Sequence, residues 1–216
     1  MVMGMGDETG ANSGGKGRSG KALMVLPFVP VVLAVGIALG VRYWPKPEAP
    51  GLGSGDATGK KAPEFVLPDA HQKEDAPPVQ LSKLVEKGPV MVTFIPTFGC
   101  KKCLMYLDAI TEQVPAFKEA GLEQIVVISP WTHGDLRETL QGMDPVPPFP
   151  ILSDFEVDHY GDTAAAFGME DEAGFILYGT FIVDRDMRVA FADKADEPFT
   201  DFAKLIEVGR KLTKSR

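Results

Sequence analysis

The apolar positions of this chain change period along its length, and the changes divide it. Residues 22–41, ALMVLPFVPVVLAVGIALGV, run for twenty positions without a charge. As a helix that is enough to cross a hydrocarbon core of about 30 Å. Pro27 and Pro30 fall near one end, where a membrane span tolerates them, and Tyr43 and Trp44 follow where interfacial aromatics belong. A cleaved signal peptide has a shorter apolar stretch, about 7–15 residues, and no Cys follows the run to take a lipid anchor. The expectation is therefore one uncleaved transmembrane helix. Residues 1–21 before it are rich in Gly and Ser, with little to bury, and are predicted to be disordered. Residues 42–61 after it carry Pro and Gly throughout and read as a flexible linker reaching roughly 25 Å.

From Ala62 to the end, short apolar runs alternate with segments of helical period. Phe65, Val66 and Leu67 predict a short strand, and residues 81–88 a helical turn ending at Gly88. Residues 90–95 and 124–129 are largely apolar runs, interrupted only by Thr93 and bounded by Gln124 and Ser129, of the kind that form strands buried on both faces. Between them Leu104, Leu107, Ile110, Val114 and Phe117 recur near the 3.6-residue period, predicting a helix from 101 to about 120 that Pro115 kinks. Thr132 is placed to cap a helix through Gln141. Residues 150–153 predict a strand and 156–167 a helix ended by Gly168. Residues 175–183 and 188–192 predict a hairpin across Asp184–Met187. A last helix over 198–212 turns Phe199, Phe202, Leu205 and Ile206 inward. Strands alternating with helices, then a late hairpin and a closing helix, define an α/β sandwich over residues 62–216.

Charge narrows the class. Residues 1–61 hold seven Lys or Arg against four Asp or Glu, a balance of +3. The whole chain holds 22 against 30, so residues 62–216 stand at 15 against 26, or −11. An acidic folded part has no footprint for nucleic acid, and that class is set aside. The basic residues near the apolar run do not orient it: Lys16, Arg18 and Lys21 precede it, and Arg42 and Lys46 follow. Topology rests on the cysteines instead. There are two in 216 residues, three positions apart, which suits an oxidising compartment where stray thiols are a liability. The redox domain is expected outside the cytoplasm, tied to the membrane by one span.

Those cysteines, in Gly99-Cys100-Lys101-Lys102-Cys103, stand where the apolar run 90–95 gives way to a helix. A thiol at a helix start meets unpaired backbone N–H groups and the positive end of the helix dipole, and both stabilise its thiolate. Cys103, one turn on, lies on the same face within bridging distance. Cys100 is expected to attack and Cys103 to resolve, with Lys101 and Lys102 adding positive potential. As a mere staple, so short a loop would remove only about 2 kcal/mol of unfolded-state entropy. Structural zinc needs about four ligands, and His71, His133 and His159 are scattered. No metal or other cofactor is expected.

Four stretches together resemble the alkyl hydroperoxide reductase/thiol-specific antioxidant family, the peroxiredoxins and redoxins. They are APEFVLPD (62–69), VQLSKLVEKGPVMVTF (79–94), FPILSDFEVDHYGDTAAAFGM (149–169) and GTFIVDRDMRVAF (179–191). The resemblance implies a thioredoxin-like fold: a central mixed sheet flanked by helices. It also places Thr97, three before Cys100, where the family has a loop threonine that orients the thiolate. Two departures stand out. Pro96 directly precedes Thr97, so the peroxide-binding loop of the peroxiredoxins is shortened, and Tyr178 stands nearest the position of their thiolate-stabilising Arg. Gly179 stands where the thioredoxin branch has a cis-proline. Strand 90–95 supplies no carboxylate to take the Cys103 proton.

The expected activity is dithiol–disulfide exchange with protein thiols or disulfides, served by a separate redox donor. A thiol peroxidase is the alternative. A copper-delivery protein of the same fold is a third reading, weakened because those proteins need Cys-x-x-x-Cys and a well-placed His.

Overall fold

The computed structural model describes Leu52, residues 56–156 and residues 159–214. The predicted disordered segment 1–21 and transmembrane helix 22–41 lie outside these residues. Among the described residues no helix is long and apolar enough to cross a membrane.

Five strands form the central sheet in the order β5-β4-β3-β8-β9. They are β3 (Val90–Phe94), β4 (Gln124–Ser129), β5 (Ile151–Ser153), β8 (Tyr178–Val183) and β9 (Val189–Ala195). β3, β4 and β5 run parallel, β8 pairs antiparallel with β3, and β9 antiparallel with β8. β3 is central and every residue of it is buried, which is why it reads as an apolar run broken only by Thr93 rather than an alternating one.

The side-chain period of two still sorts that run between two cores. Met91 and Ile95 face the layer built from α2 (Lys101–Glu119), α3 (His133–Gln141) and α5 (Phe202–Lys214), through Leu107, Ile110, Phe117, Leu136 and Leu205. Val90, Val92 and Phe94 face the other way, onto α1 (Leu81–Val85), α4 (Asp162–Ala166) and Phe167. There Phe94, Phe167 and Phe181 contact one another with ring centroids 5.1–5.9 Å apart. A small antiparallel pair, β1 (Val66–Leu67) with β2 (Val79–Gln80), leads into α1. This is the thioredoxin-like sandwich expected.

Four elements differ from expectation. The helix predicted over 156–167 is largely replaced by an antiparallel pair, β6 (Phe155–Glu156) with β7 (His159–Tyr160), and only Asp162–Ala166 is helical. The late start has a local cause. Gly161 adopts φ 73°, and the buried Asp154 carboxylate accepts the Thr163 and Ala164 amides at 3.1 and 2.9 Å. Asp154 thus caps that helix from the loop after β5. The first hairpin strand begins at Tyr178 rather than 175, because Asp171 folds the preceding residues into a turn through the Ala173 and Phe175 amides, both at 2.8 Å. The last helix begins at Phe202, four residues late, and Phe199 packs on Phe191 from the loop before it. Finally, the expected linker 42–61 is packed where it is described. Leu52 and Ala57 are buried, and backbone bonds tie Gly59 to Val189 and Ala62 to Met187.

Candidate functional site

β3 delivers the chain to the helix-bearing end of the sheet, and residues 95–99 turn it. Gly99 sits at φ 85°, a conformation that side chains rarely adopt, and the Trp131 ring lies beside it. Cys100 follows in an extended conformation (φ −72°, ψ 146°) as the N-cap of α2. Its sulfur accepts the Cys103 amide at 3.0 Å, so a cysteine sulfur fills the capping place usually held by an oxygen. The same donor is there to stabilise charge on that sulfur.

The two cysteines are joined as a disulfide, with Cα atoms 5.2 Å apart. They differ in access. Cys100 is half-buried, whereas Cys103 has 0% exposure. Thr97 lies half-buried in the loop between β3 and Cys100, and among the described residues no hydrogen bond joins its hydroxyl to either sulfur.

Lys101 and Lys102 are both exposed, but they are not equivalent. Lys102 Nζ meets both carboxylate oxygens of Glu197, at 2.7 and 2.6 Å, from the loop after β9. That contact raises the lysine pKa above its ordinary value. It also sets a negative charge against Lys102 and so offsets the positive potential expected from that lysine.

Behind the disulfide stands Tyr178, the first residue of β8, 7% exposed. Its hydroxyl is 3.2 Å from Cys103 Sγ. Burial raises the phenol pKa, an effect that Lys102 partly offsets. Tyr106, one turn beyond Cys103 on α2, sets its ring edge-to-face against Tyr178 and bonds Thr180 Oγ1 at 3.1 Å. Burial pushes Tyr106 up to about 12. Thr180 faces Thr93 on one side and Asp193 on the other, and burial raises the Asp193 carboxyl. A Cβ at Gly179 would meet the flexible end of the Met169 side chain, which would have to move aside.

Sequence reasoning marked Tyr178 only as a missing arginine. The bond from β8 to a residue 75 positions earlier carries no local signature. Neither does the link from Lys102 to Glu197, 95 positions on.

A half-buried cysteine over a fully buried one at a strand-to-helix junction of this sandwich defines a thioredoxin-fold thiol oxidoreductase. The chain belongs to the AhpC/TSA family, which matches residues 58–192. Alkyl hydroperoxide reductase E of Mycobacterium bovis is 31% identical over 138 residues, 62% of this chain and 83% of that protein. Thiol-disulfide oxidoreductase ResA of Bacillus thuringiensis is 27% identical over 164 residues, 76% of this chain and 82% of the relative. Two solved structures share the fold. Peroxidoxin BcpB of Mycobacterium tuberculosis superposes with TM-score 0.61 at 24% identity, covering 73% of this chain and 99% of that one. AhpC of Enterococcus faecalis gives 0.62 at 17%, covering 74% and 96%. The relatives thus include both a peroxide reductase and a disulfide oxidoreductase by name.

Proposed function

We propose that this enzyme exchanges its Cys100–Cys103 dithiol with disulfides of protein substrates, and does so tethered to a membrane outside the cytoplasm. The observation that carries the reading is the unequal placement of one bonded pair: Cys100 half-buried at a helix start, Cys103 sealed beneath it. In the reduced state the Cys100 thiolate attacks a substrate disulfide and one substrate thiolate leaves. Cys103 then attacks Cys100 Sγ, the mixed disulfide breaks, and the second substrate thiol is released. A separate redox donor or acceptor resets the couple. Protein substrates fit a nucleophile that is only half-buried at a helix start, its partner sulfur sealed beneath it.

The membrane tether rests on the uncharged run 22–41 and the compartment on the cysteine usage. A C-terminal reporter active only in the cytoplasm should be silent; a bright fusion would reverse the topology. For the chemistry, the reduction potential of Cys100–Cys103 in a glutathione or dithiothreitol buffer is the test. A reversible two-electron couple within reach of these buffers is expected, and a pair that never exchanges would refute the reading.

Thiol peroxidase is the second reading, favoured by the 31% identity to a protein named as an alkyl hydroperoxide reductase. The short loop at Pro96-Thr97 and the neutral Tyr178 weigh against it, since peroxide cleavage draws on fixed donors at the departing oxygen.

A further inference from the structure

Whichever way the couple turns over, Cys103 must pass through its thiolate. When an incoming thiolate attacks Cys100 Sγ of the disulfide, a bond to that sulfur forms. The Cys100–Cys103 bond breaks, and its electron pair leaves on Cys103. In the reverse sense the Cys103 thiol is deprotonated and attacks Cys100 Sγ of the mixed disulfide. The pair then leaves on the substrate sulfur, which ends as a thiol carrying the proton. Either way a negative sulfur stands where exposure is 0%, within the buried core cluster that also holds Leu107, Tyr106 and Phe98. Charge in such a place is costly unless a donor meets it.

We infer that Tyr178 is a catalytic residue of this exchange: its hydroxyl donates a hydrogen bond to the Cys103 thiolate, stabilising that sulfur as leaving group when the disulfide opens and as nucleophile when it closes. The inference rests on the dithiol-exchange reading. The oxygen lies 3.2 Å from Cys103 Sγ, the one hydrogen-bond partner of that sulfur among the described residues. A thiolate can only accept, so in that state the phenol is the donor. A phenol is protonated at neutral pH and burial shifts this one further in that direction, which suits a donor.

The surroundings hold the ring in place. Tyr106 packs edge-on against it and keeps its own hydroxyl on Thr180, so the two phenols do not compete. Among the described residues, the charged groups near Tyr178 include the Lys102–Glu197 pair above, and Lys194 and Asp193 on β9, which pair in register with Gly179 and Thr180. A neutral phenol has an advantage over an arginine here. When Cys103 is in the disulfide, an arginine would be left as a buried charge without a partner, whereas a phenol merely keeps a weak sulfur contact. The residue that departs from the peroxidase pattern is thus suited to a sulfur that alternates between neutral and charged.

The test uses the reduced full-length chain and one equivalent of an aromatic disulfide, 5,5′-dithiobis(2-nitrobenzoate), whose thiolate is coloured. Release of the first coloured thiolate reports capture by Cys100; release of the second reports attack by Cys103. Tyr178→Phe keeps the ring and removes only the donor. The first phase should stay within about twofold and the second slow by about tenfold to a hundredfold, as for loss of a hydrogen bond to a charged group. The second phase of the variant should also need higher pH to reach its plateau. In a Cys100→Ser background, the pH at which the Cys103 thiolate absorbs in the ultraviolet should rise with Tyr178→Phe. A second phase within twofold of wild type, or equal slowing of both phases, would overturn the assignment. Wild-type protein that releases no second thiolate would overturn the exchange reading instead, and the Cys103 titration would still decide the role of Tyr178.

Discussion

Lys102 and Glu197 join the first turn of α2 to the loop after β9 through a two-pronged contact, 2.7 and 2.6 Å from one ammonium to two carboxylate oxygens. Both side chains are more than half exposed, at 52% and 69%, so solvent screens the pair and its worth to stability is small. Its consequence is electrical. One of the two lysines flanking the reactive pair is already neutralised by a residue far along the chain.

Glu197→Gln should release that charge. Cys100 would then be alkylated faster at pH 7, by about two- to threefold at low ionic strength, a size in keeping with exposed pairs. The couple should also become more oxidising. Half-molar salt should erase the difference, because the Debye length falls to a few ångströms. Stopped-flow alkylation of wild type and variant at two salt concentrations checks this. An unchanged rate at low salt would mean the loop carboxylate has no electrostatic hold on Cys100.

The unequal burial of the cysteines predicts their order of reaction. With limiting iodoacetamide at pH 7, peptide mapping of the reduced protein should find Cys100 labelled well before Cys103. Cys100→Ser should abolish disulfide exchange, and Cys103→Ser should accumulate mixed disulfides that non-reducing gels display. Equal labelling of the two thiols would reverse the roles assigned to them.

Peroxide separates the two enzymatic readings. Removing one preorganised donor typically lowers the rate of a charge-developing step about 10²–10³-fold. In this site a phenol directed at Cys103 stands near the place of a family cation. The reduced enzyme should therefore consume hydrogen peroxide little faster than a small thiol at equal thiolate fraction, while reducing a model disulfide readily. A peroxide rate orders of magnitude above the free-thiolate value would make this a peroxiredoxin in activity as well as in family.

Asp154 supplies a prediction about stability and pH. Burial raises its carboxyl above the ordinary 3.8, even though the Thr163 and Ala164 amides pull the other way. A raised folded-state pKa means the protonated form is favoured on folding. This contribution is therefore fully present below the unfolded pKa and is lost as pH rises through the folded value. Asp154→Asn keeps a good cap and removes the titration. Urea midpoints of wild type should fall relative to the variant as pH climbs from 3 through that window and run parallel above it. Asp154→Ala should cost about 1 kcal/mol or more at any pH, the usual loss of an N-cap.

What the sequence determined by itself is governed by local rules. β3 is legible because a strand buried on both faces is apolar at nearly every position, here all but Thr93, and α2 because Leu107, Ile110, Val114 and Phe117 repeat at the helical period. The cysteine pair announced itself by its three-residue spacing at their junction, which places two sulfurs on one helix face whatever the rest of the chain does. Where competing local signals were balanced, the reading slipped. Residues 156–167 look helical, but the buried Asp154 carboxylate and the left-handed Gly161 start the helix only at Asp162. Tertiary structure alone decided which groups surround the sulfurs. Pairing β8 against β3 brings Tyr178 beneath Cys103, and the turn after β9 brings Glu197 onto Lys102. A hydroxyl's contact with a sulfur 75 residues away depends on strand register and helix packing, and neither composition nor spacing around Tyr178 encodes those distances.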